Sequence, residues 1–358
     1  MLRRKTALAS QTAPSKASLL YKDTKALPLA LEAYLSQQLG RSVKVSGLKR
    51  FAVGFSWITI GFTIPKPGLE GCMNLILRLG PEDGLFAPYS AAPQFFALKA
   101  LEGTGVPAPR AFLWSDDSSL LGAPFFISEL VQGEAPIPWG PAGGMTDSLR
   151  NSLGIGFTDA LGALHNVEWH QNKLATMSEG ITAENAATRQ LDIWEGNYFR
   201  WRLRAYPMLH YAARWLRDNL PVAPRVAIVH GDYRLGNFLA IGETITAILD
   251  WELVHLGDPH EDLAWACLPQ YRGGTKLMSR LIEREAMYER YKNKTGIEVN
   301  PESMNFYEVF SLYKLAVTHM AAVNVFERNE FHDMRMPAMG TQIAPVLRQI
   351  EKMLEALA

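Results

Sequence analysis

The sequence predicts an α+β fold of two lobes, with a small lobe built on an antiparallel sheet and a large lobe that is mainly helical. Runs of β-branched and aromatic residues lie in the first third of the chain, whereas apolar residues three or four positions apart dominate the rest. The Gly- and Pro-rich segment "VQGEAPIPWGPAGG" separates the two patterns. We therefore expect a flexible basic tail over residues 1–24, a small lobe over 25–128 and a large lobe over 129–358.

The small lobe begins with a predicted helix. "LPLALEAYLSQQLG" has helical apolar spacing and ends at a glycine, which is a normal helix stop. "FSWITIGFTI" and "MNLILRLG" predict two strands joined by the turn-rich "PKPGLEG". "QFFALKALEGTGV" predicts a second helix, and "PRAFLW" and "PFFISEL" predict two further strands. The lobe is therefore expected to be a sheet crossed by one helix.

The large lobe consists of predicted helices interrupted once by short strands. Five segments have the helical period: "SLGIGFTDALGALHNV", "RWRLRAYPMLHYAARWLRDNL", "KLMSRLIEREAMYERYKNK", "FYEVFSLYKLAVTHMAAVNVFE" and "IAPVLRQIEKMLEALA". Between the second and third of them, "RVAIVH", "FLAIG" and "TITAILD" predict strands that flank a polar loop. That loop and the strands around it contain the residues with functional potential.

Composition and charge exclude several partner classes. The 36 basic and 36 acidic side chains balance, so we expect neither nucleic acid nor a membrane as partner. We also expect no apolar stretch long enough to span a bilayer. The basic start of the chain lacks the apolar centre of a secretory signal. It indicates either a disordered N-terminus of a cytoplasmic protein or a transit peptide into an organelle matrix. Nothing in the sequence indicates the oligomeric state.

One polar loop has the residue pattern of a phosphoryl-transfer site. "IVHGDYRLGNFL" places Asp232 and Asn237 five positions apart, and Asp250 follows one strand pair later. Such a transfer needs one carboxylate to orient the acceptor hydroxyl, and an asparagine and a second carboxylate to hold Mg²⁺. The hairpin "NFLAIGETITAILD" would bring Asn237 and Asp250 to the same end of two antiparallel strands. The alternative is a polar turn in which Asp and Asn cap local backbone groups.

The two polar clusters together resemble a known family. "VHGDYRLGNFL" followed by "ILDWELVHLGDPHEDLAW" resembles the aminoglycoside phosphotransferase / choline kinase-like family, and most closely its subgroup fused to acyl-CoA dehydrogenases. Weaker similarity continues through "LILRLG", "ALKALEGTGVPAPR", "ISELVQG", "LGALHNVEW", "RQLDIWEGNYFRWRLRAYP" and "FYEVFSLYKLAV". The resemblance implies a protein-kinase-like fold whose small lobe holds ATP. The large lobe would then hold Mg²⁺ and a small-molecule acceptor.

The resemblance assigns roles in the loop. It implies that Asp232 is the catalytic base and that Asn237 and Asp250 are the magnesium ligands. Arg234 lies where many protein kinases have a lysine that neutralises the moving γ-phosphoryl group, and it could instead serve the structure or bind the acceptor. Four residues are expected to shape or support the loop. They are His230, Gly231, Asp258 and Asp262.

The resemblance also locates the nucleotide site. "AVGFSW" occupies the place of the phosphate-covering loop, where Gly54 and Ser56 would offer backbone N–H groups. In the interlobe hinge "PFFISELVQG", the Ser128 carbonyl and the Leu130 N–H would pair with adenine. Arg78 in "LILRLG" fits the slot of the phosphate-binding cation.

One position departs from the family pattern. The glutamate that usually pairs with the cation on the third strand is replaced by Gln94, which can form a hydrogen bond with Arg78 but no ion pair. Either Arg78 reaches the phosphates without that partner, or the chain is a nucleotide-binding pseudokinase. The intact Asp–Asn–Asp set favours an active enzyme.

An arginine-rich segment before the loop bears on the acceptor. Between Thr188 and Arg217 the chain has six arginines and seven aromatic residues but only two acids. The segment is either an amphipathic helix with arginines in solvent or the lining of the acceptor site. In the second case Arg202 and Arg204 would attract an anionic acceptor, such as a hydroxyacyl-CoA or hydroxy acid, and repel a cationic aminoglycoside. An aminoglycoside-type kinase remains the alternative.

Overall fold

The computed structural model describes residues 20–51, 56–66, 71–82, 84–136, 144–328 and 333–358. The predicted tail lies outside the described residues as far as residue 19, and Gly54 lies outside them too. Within the described ranges, an antiparallel sheet is followed by a mainly helical part. The α+β architecture predicted from the sequence is therefore confirmed.

The described part of the small lobe is a five-stranded antiparallel sheet with three α-helices. Its strands are β1 (Ser46–Phe51), β2 (Ile58–Pro65), β3 (Cys72–Leu79), β4 (Ala111–Ser115) and β5 (Phe125–Glu129), in the spatial order β1-β2-β3-β5-β4. Its helices are α1 (Ala26–Leu39), α2 (Ala92–Leu101) and α3 (Ser118–Leu121). The strand β1 has no counterpart in the sequence prediction, because four of its six residues, Ser46, Gly47, Lys49 and Arg50, are exposed and its apolar pattern is weak.

Two apolar clusters form the interior. In the first, buried α1 residues pack on one face of the sheet, where Tyr34 meets Phe125 edge to face at 5.0 Å between ring centroids. The second cluster fills the large lobe and also includes Phe95 and Leu98 of α2. Helix α2 therefore joins the interior of the large lobe although it lies in the small-lobe part of the chain. This packing fixes the two lobes against each other beside the polar loop.

The large lobe contains ten helices and four short strands within the described ranges. The helices are α4 (Asp147–His165), α5 (Lys173–Thr176), α6 (Ala186–Trp201), α7 (Pro207–Asp218), α8 (His260–Ala266), α9 (Pro269–Arg272), α10 (Arg284–Thr295), α11 (Pro301–Glu327), α12 (Arg335–Gly340) and α13 (Ile343–Leu357). The strands are β6 (Ala227–Val229), β7 (Phe238–Ile241), β8 (Thr244–Ile248) and β9 (His255–Gly257), which pair as β6–β9 and β7–β8.

Two of the predicted helices are longer than the helices in the structure. "RWRLRAYPMLHYAARWLRDNL" is divided, because α6 ends at Trp201 and α7 begins at Pro207. Proline lacks an N–H and has a fixed φ, so it starts a helix more readily than it continues one. Residues 276–283 precede α10 and contain an isolated bridge between Met278 and Ile282 rather than helix.

Helix α11 is the central helix of the large lobe. Its 27 residues have a mean hydropathy of 1.3 over their most apolar window, which meets the length and composition of a membrane span. The sequence expectation that no stretch has this character is therefore wrong. However, 83% of that window is buried inside the fold, against α6, α7, α8, α12 and α13. Burial by other helices accounts for its apolar character.

Candidate active site

The polar loop connects β6 to β7 and requires glycine at one position. Gly231 has φ +82°, and a Cβ atom there would lie 2.6 Å from the carbonyl oxygen of Leu253. A larger residue would be strained by its backbone conformation and would also collide with backbone that cannot move aside. The tight approach places Asp232, the next residue, at the mouth of the loop, where its side chain is 15% exposed.

Three donors hold the carboxylate of Asp232. The Asn237 Nδ2 atom donates to Oδ2 at 2.5 Å, and Arg234 Nε donates to Oδ1 at 2.9 Å. Trp265 Nε1 also donates to Oδ1, at 2.6 Å. Arg234 in turn lies over the ring of Tyr271, at 5.2 Å from its centroid. The carboxylate is therefore fixed in one orientation before any ligand binds.

The hairpin after the loop brings Asn237 and Asp250 together as predicted. Strands β7 and β8 pair with Phe238 opposite Ile248, and the Leu249 N–H donates to the Asn237 carbonyl at 2.6 Å. Asp250 follows directly, in a left-handed conformation with φ +66°. Both oxygen-bearing side chains therefore lie at the same end of the hairpin.

His230 links the loop to the strand that precedes Asp250. Its Nε2 is 2.9 Å from the Leu249 carbonyl oxygen, and its Nδ1 is 3.1 Å from the Asp232 N–H. A carbonyl can only accept and an N–H can only donate, so in this network Nε2 is the donor and Nδ1 is the acceptor. Both ring nitrogens are engaged in holding the loop, which suits a supporting role and not proton transfer.

Asp262 holds the loop from behind. Its buried carboxylate accepts the N–H groups of His230 at 2.7 Å and Gly231 at 2.8 Å, and it is 3.2 Å from His165 Nε2. Burial by itself would raise the pKa of Asp262, but the hydrogen bond and charge of His165 outweigh it and the pKa is lowered. Asp262 therefore binds two consecutive backbone N–H groups of the loop.

Asp258 does not support the loop, contrary to the expectation from the sequence. Its Oδ1 is bound by the backbone N–H of His260 at 2.9 Å and by the same residue's Nδ1 at 2.7 Å. His260 Nε2 accepts the N–H of Asn300, which precedes α11. The turn between β9 and α8 directs Asp258 toward the start of α11, so it orders that helix and not the polar loop.

Arg78 pairs with Asp250 rather than with Gln94. The Arg78 Nη2 atom is 2.9 Å from Asp250 Oδ1, and no hydrogen bond among the described residues joins Arg78 to Gln94. Arg78 Nε is buried and has no partner in the described structure. Burial by itself would raise the pKa of Asp250, but the charge of Arg78 outweighs it and lowers the pKa. The cation of the third strand therefore faces the hairpin end directly.

A further acid lies beside Asp250. Burial and the charge of Asp250 raise the pKa of Glu252 to about 8, while a hydrogen bond from Ser56 acts in the opposite direction. Glu252 Oε2 is buried and has no partner among the described residues. Ser56 is buried too, with its side chain near Glu252 and Tyr89. The structure thus brings Ser56 to the hairpin end.

The hinge differs from the expectation by one residue. Ser128 lies inside β5, in register with Ile76 on one side and Ala111 on the other. The Leu130 N–H already donates to the Asn74 carbonyl at 3.1 Å, so it is not free to pair with a base. Val131 has the first hinge N–H without a partner in the described structure, because the neighbouring strand β4 does not extend that far.

Arg202 and Arg204 lie at the corner between α6 and α7. Arg202 stacks on Phe199 at 4.7 Å and Arg204 on Tyr206 at 5.0 Å, measured to the ring centroids. Neither makes an ion pair within the described residues, whereas Arg217 pairs with the segment's two acids. Within the described residues, Arg202 and Arg204 have no hydrogen bond to the polar loop.

Three buried residues of the site were not recognised from the sequence as part of it. They are Trp265, which the pattern placed in the core, His165 in α4 and Lys314 in α11, which donates to the Gly231 carbonyl at 2.6 Å. Trp265 and Lys314 are 33 and 83 positions away from their partners in the loop, and His165 is 97 positions away from Asp262, which holds the loop. A lysine within the apolar run of α11 was the one sequence signal that could have been followed.

The donor set of the hairpin end fits a hard cation. The described residues contain no group of three or more His, Cys, Asp or Glu side chains that could enclose a metal ion. Asn237 and Asp250 offer two oxygen ligands, which is the arrangement in which Mg²⁺ keeps water and phosphate oxygens as its other ligands. The donor set therefore fits a hard cation that keeps ligands from outside the protein.

Sequence comparison identifies the family. The profile of the APH family, described as the phosphotransferase enzyme family, matches residues 68–306. Acyl-CoA dehydrogenase family member 10 of Mus musculus is 30% identical over 315 residues, which cover 82% of this chain and 28% of that protein. Family member 11 of Homo sapiens is 28% identical over 306 residues, covering 80% and 38%. The chain thus spans about a third of the length of these relatives.

Solved structures support the same assignment. A Ralstonia eutropha JMP134 protein with the provisional name aminoglycoside phosphotransferase has a TM-score of 0.71 and 25% identity, covering 93% of this chain and 98% of its own. Aminoglycoside phosphotransferase APH(4)-Ia, in ternary complex with ADP and hygromycin B, has a TM-score of 0.56 and 14% identity, covering 89% and 98%. At 14% identity the likeness shows the protein-kinase-like fold alone. The chain therefore belongs to the APH phosphotransferase enzyme family.

Proposed function

We propose that this protein is an ATP-dependent small-molecule kinase that transfers the γ-phosphoryl group to an acceptor hydroxyl. The observation that carries the proposal is the assembly of Asp232, Asn237 and Asp250 around one hairpin end, with Arg78 2.9 Å from Asp250. Phosphoryl transfer depends on positioning and charge stabilisation, and these four side chains are the parts it needs.

In this proposal Asp232 binds the hydroxyl group of the acceptor. A carboxylate has about four lone-pair positions, and three of them are occupied by Asn237, Arg234 and Trp265. One position remains to accept a hydrogen bond from the acceptor hydroxyl and to take its proton. Arg234 lies beside this position and supplies positive charge for the transferred group.

The hairpin end and the hinge hold the nucleotide. Asn237 uses its nitrogen on Asp232, so its Oδ1 is the atom that would bind Mg²⁺, together with Asp250. When bound, Mg²⁺ bridges and neutralises the nucleotide phosphates. The unpartnered Arg78 Nε suits a phosphate oxygen, and the free Val131 N–H suits the adenine edge.

We further propose that the acceptor is anionic. A series of contacts connects the corner between α6 and α7, which holds Arg202 and Arg204 and is called the arginine corner below, to the hairpin end. Arg200 donates to the Ala87 carbonyl at 2.5 Å, and Phe86 packs 5.6 Å from Trp201. The Phe86 N–H in turn donates to the hydroxyl of Tyr89, whose pKa is raised by burial and by the charge of Glu252. Two arginines without ion-pair partners at this corner would attract carboxylate or phosphate groups.

The relatives support a particular anionic class. The curated proteins that match along most of this chain are named acyl-CoA dehydrogenases, and the chain corresponds to about a third of their length. A kinase joined to such an enzyme would act on an acyl-CoA ester or its acid. We therefore favour a hydroxyacyl-CoA or hydroxy acid as acceptor over an aminoglycoside.

Phosphotransfer is tested with two variants of the site and one distant control. Asp232→Asn is expected to lower turnover by about 10²–10⁴-fold with little change in ATP affinity. Asp250→Ala should remove turnover and also weaken Mg·ATP binding, while Asp218→Asn, at an exposed position on α7, should change neither. Wild-type protein that binds Mg·ATP but transfers no phosphate would instead indicate the pseudokinase alternative.

The acceptor class is tested by direct competition. Kanamycin-type aminoglycosides and 3- and 4-hydroxyacyl-CoA esters are compared at matched ATP and magnesium concentrations. We expect faster phosphorylation of the acyl-CoA esters, and loss of that activity in Arg202→Glu and Arg204→Glu. Faster phosphorylation of the aminoglycoside, or full acyl-CoA activity in both variants, would contradict the anionic acceptor.

A further inference from the structure

A lysine is completely enclosed behind the polar loop. Lys314 lies in the middle of α11 and is 1% exposed, with Nζ 2.6 Å from the Gly231 carbonyl oxygen and 2.8 Å from Glu261 Oε1. Burial of an ammonium group is unfavourable unless it is paired and hydrogen-bonded. Among the described residues, the one other hydrogen bond that Nζ donates goes to Gly231, the residue that precedes Asp232.

The two ends of Gly231 are held from opposite sides. Its N–H donates to Asp262 at 2.8 Å, and its carbonyl accepts from Lys314 at 2.6 Å. A glycine has no side chain to restrict its φ and ψ, so these two contacts determine the conformation of a residue that is otherwise permissive. Because Asp232 follows immediately, its direction depends on this clamp.

Lys314 also contacts the indole that binds Asp232. Its Nζ lies 4.8 Å from the ring centroid of Trp265, whose Nε1 donates to Asp232 Oδ1 at 2.6 Å. It lies 5.4 Å from the ring of Trp194 in α6, the helix that leads to the arginine corner. An ammonium group over an indole face is attracted to it, and this fixes the plane of the ring.

The partner acid is held in its charged form. Glu261 Oε2 is 3.1 Å from His255 Nε2, and both residues lie behind the loop. Burial by itself would raise the pKa of Glu261, but the positive charge of Lys314 reverses this and lowers the pKa to about 2. The Glu261 carboxylate is therefore ionised at neutral pH.

We propose that Lys314 is a positioning residue for phosphotransfer, which sets the orientation of Asp232 through the Gly231 carbonyl and the ring of Trp265. This inference rests on the proposed kinase function. The competing explanation is that the Lys314–Glu261 pair serves only the stability of the lobe. Buried ion pairs can often be replaced by neutral side chains of similar volume without loss of stability, so the two explanations can be separated.

The test removes both charges together. In Lys314→Met/Glu261→Gln no buried charge is left without a partner, so we expect a folded protein. Turnover of Mg·ATP with a 4-hydroxyacyl-CoA ester should fall at least tenfold while KM for ATP stays within about twofold, because the nucleotide groups are untouched. In protein labelled with ¹⁵N-tryptophan, the Trp265 indole signal, assigned with Trp265→Phe, should move and exchange with solvent at least tenfold faster.

A second ion pair on the same helix provides the control. Arg284 pairs with Glu308 of α11 at 2.5 Å, away from the loop, so Arg284→Met/Glu308→Gln should leave turnover and the Trp265 signal unchanged. Equal losses in both double variants would overturn the positioning role, as would wild-type turnover in Lys314→Met/Glu261→Gln.

The remaining outcomes also decide. Should that variant not fold, Lys314→Leu/Glu261→Met fills the same space with apolar side chains, and failure of both to fold would show a role in stability instead. If the wild-type protein transfers no phosphate, the proposed function fails, while the Trp265 signal still tests whether Lys314 positions the loop.

Discussion

The polar loop and the hairpin end differ in how completely their polar groups are satisfied. On the loop side, Asp232 accepts three hydrogen bonds, and Asp262 and Lys314 hold the backbone behind it. At the hairpin end, the proposed nucleotide side, Arg78 Nε and Glu252 Oε2 are buried without partners in the described structure. Unpartnered buried atoms also occur elsewhere in the described residues, but these two lie at the hairpin end, where a bound ligand would give them partners.

This difference separates two tasks. A group that orients the acceptor must be fixed before the reaction, since reorganisation during transfer would add to the barrier. Groups that bind nucleotide phosphate and metal can remain incomplete, because the ligand supplies their partners. In the proposed kinase, the Arg78–Asp250 ion pair would hold the two charges until phosphate and Mg²⁺ replace it.

The largest expected effect comes from breaking the loop side at Asp262. Asp262→Ala removes the acceptor of two backbone N–H groups and of His165, and buried donors without partners are costly. We expect a loss of about 3–5 kcal/mol in the free energy of unfolding by urea denaturation.

Asp258→Ala is the matched control for this loss, because Asp258 is equally buried but supports α11 instead of the loop. It should reduce stability while turnover per folded molecule is retained. If the free energy of unfolding of Asp262→Ala lies within 1 kcal/mol of the wild-type value, Asp262 does not hold the polar loop.

Acid should weaken the same side through Glu261. Its pKa of about 2 lies below the ordinary value of 4.5, so its ionised form stabilises the folded state above about pH 5. This contribution, on the order of 3 kcal/mol, is lost as the pH falls from 4.5 toward 2, with about 1 kcal/mol lost by pH 3.5.

Urea unfolding at pH 6 and pH 3.5 measures this loss. Glu261→Gln should show a smaller decrease than wild type, and Glu289→Gln, at an exposed acid, should show the wild-type decrease. Identical decreases in all three proteins would show that Glu261 carries no pH-dependent stability.

The smallest expected effect sharpens the nucleotide side. Arg78→Ala should weaken ATP binding about tenfold, because it removes a charge-assisted contact to phosphate worth about 1.5–3 kcal/mol. Gln94→Ala should change affinity by less than about threefold, since Gln94 makes no hydrogen bond to Arg78 in the described structure. Calorimetric titration with Mg·ATP measures both, and equal weakening by the two substitutions would show that Gln94 supports the cation after all.

Much of the fold could be predicted because its signals are local. The periods of apolar residues located the helix α1 and strands β2 to β5, and glycine and the D-x-x-x-x-N spacing located the loop. The position of Asn237 and Asp250 at the same end of the hairpin could be predicted from the hairpin's length, which is a short-range property. The break at Pro207 was also local and could have been recognised from the proline itself.

The sequence by itself determined the two-part α+β architecture, the polar loop and the end of the hairpin, because each depends on neighbouring residues. The tertiary structure alone decided which distant side chains reach the loop. Packing of α8 and α11 behind it brought Trp265, Asp262 and Lys314 to Asp232 and Gly231. It also turned Asp258 away, paired Arg78 with Asp250 and used the Leu130 N–H inside the sheet. Such partners are selected by proximity in space, which residue spacing along the chain does not encode.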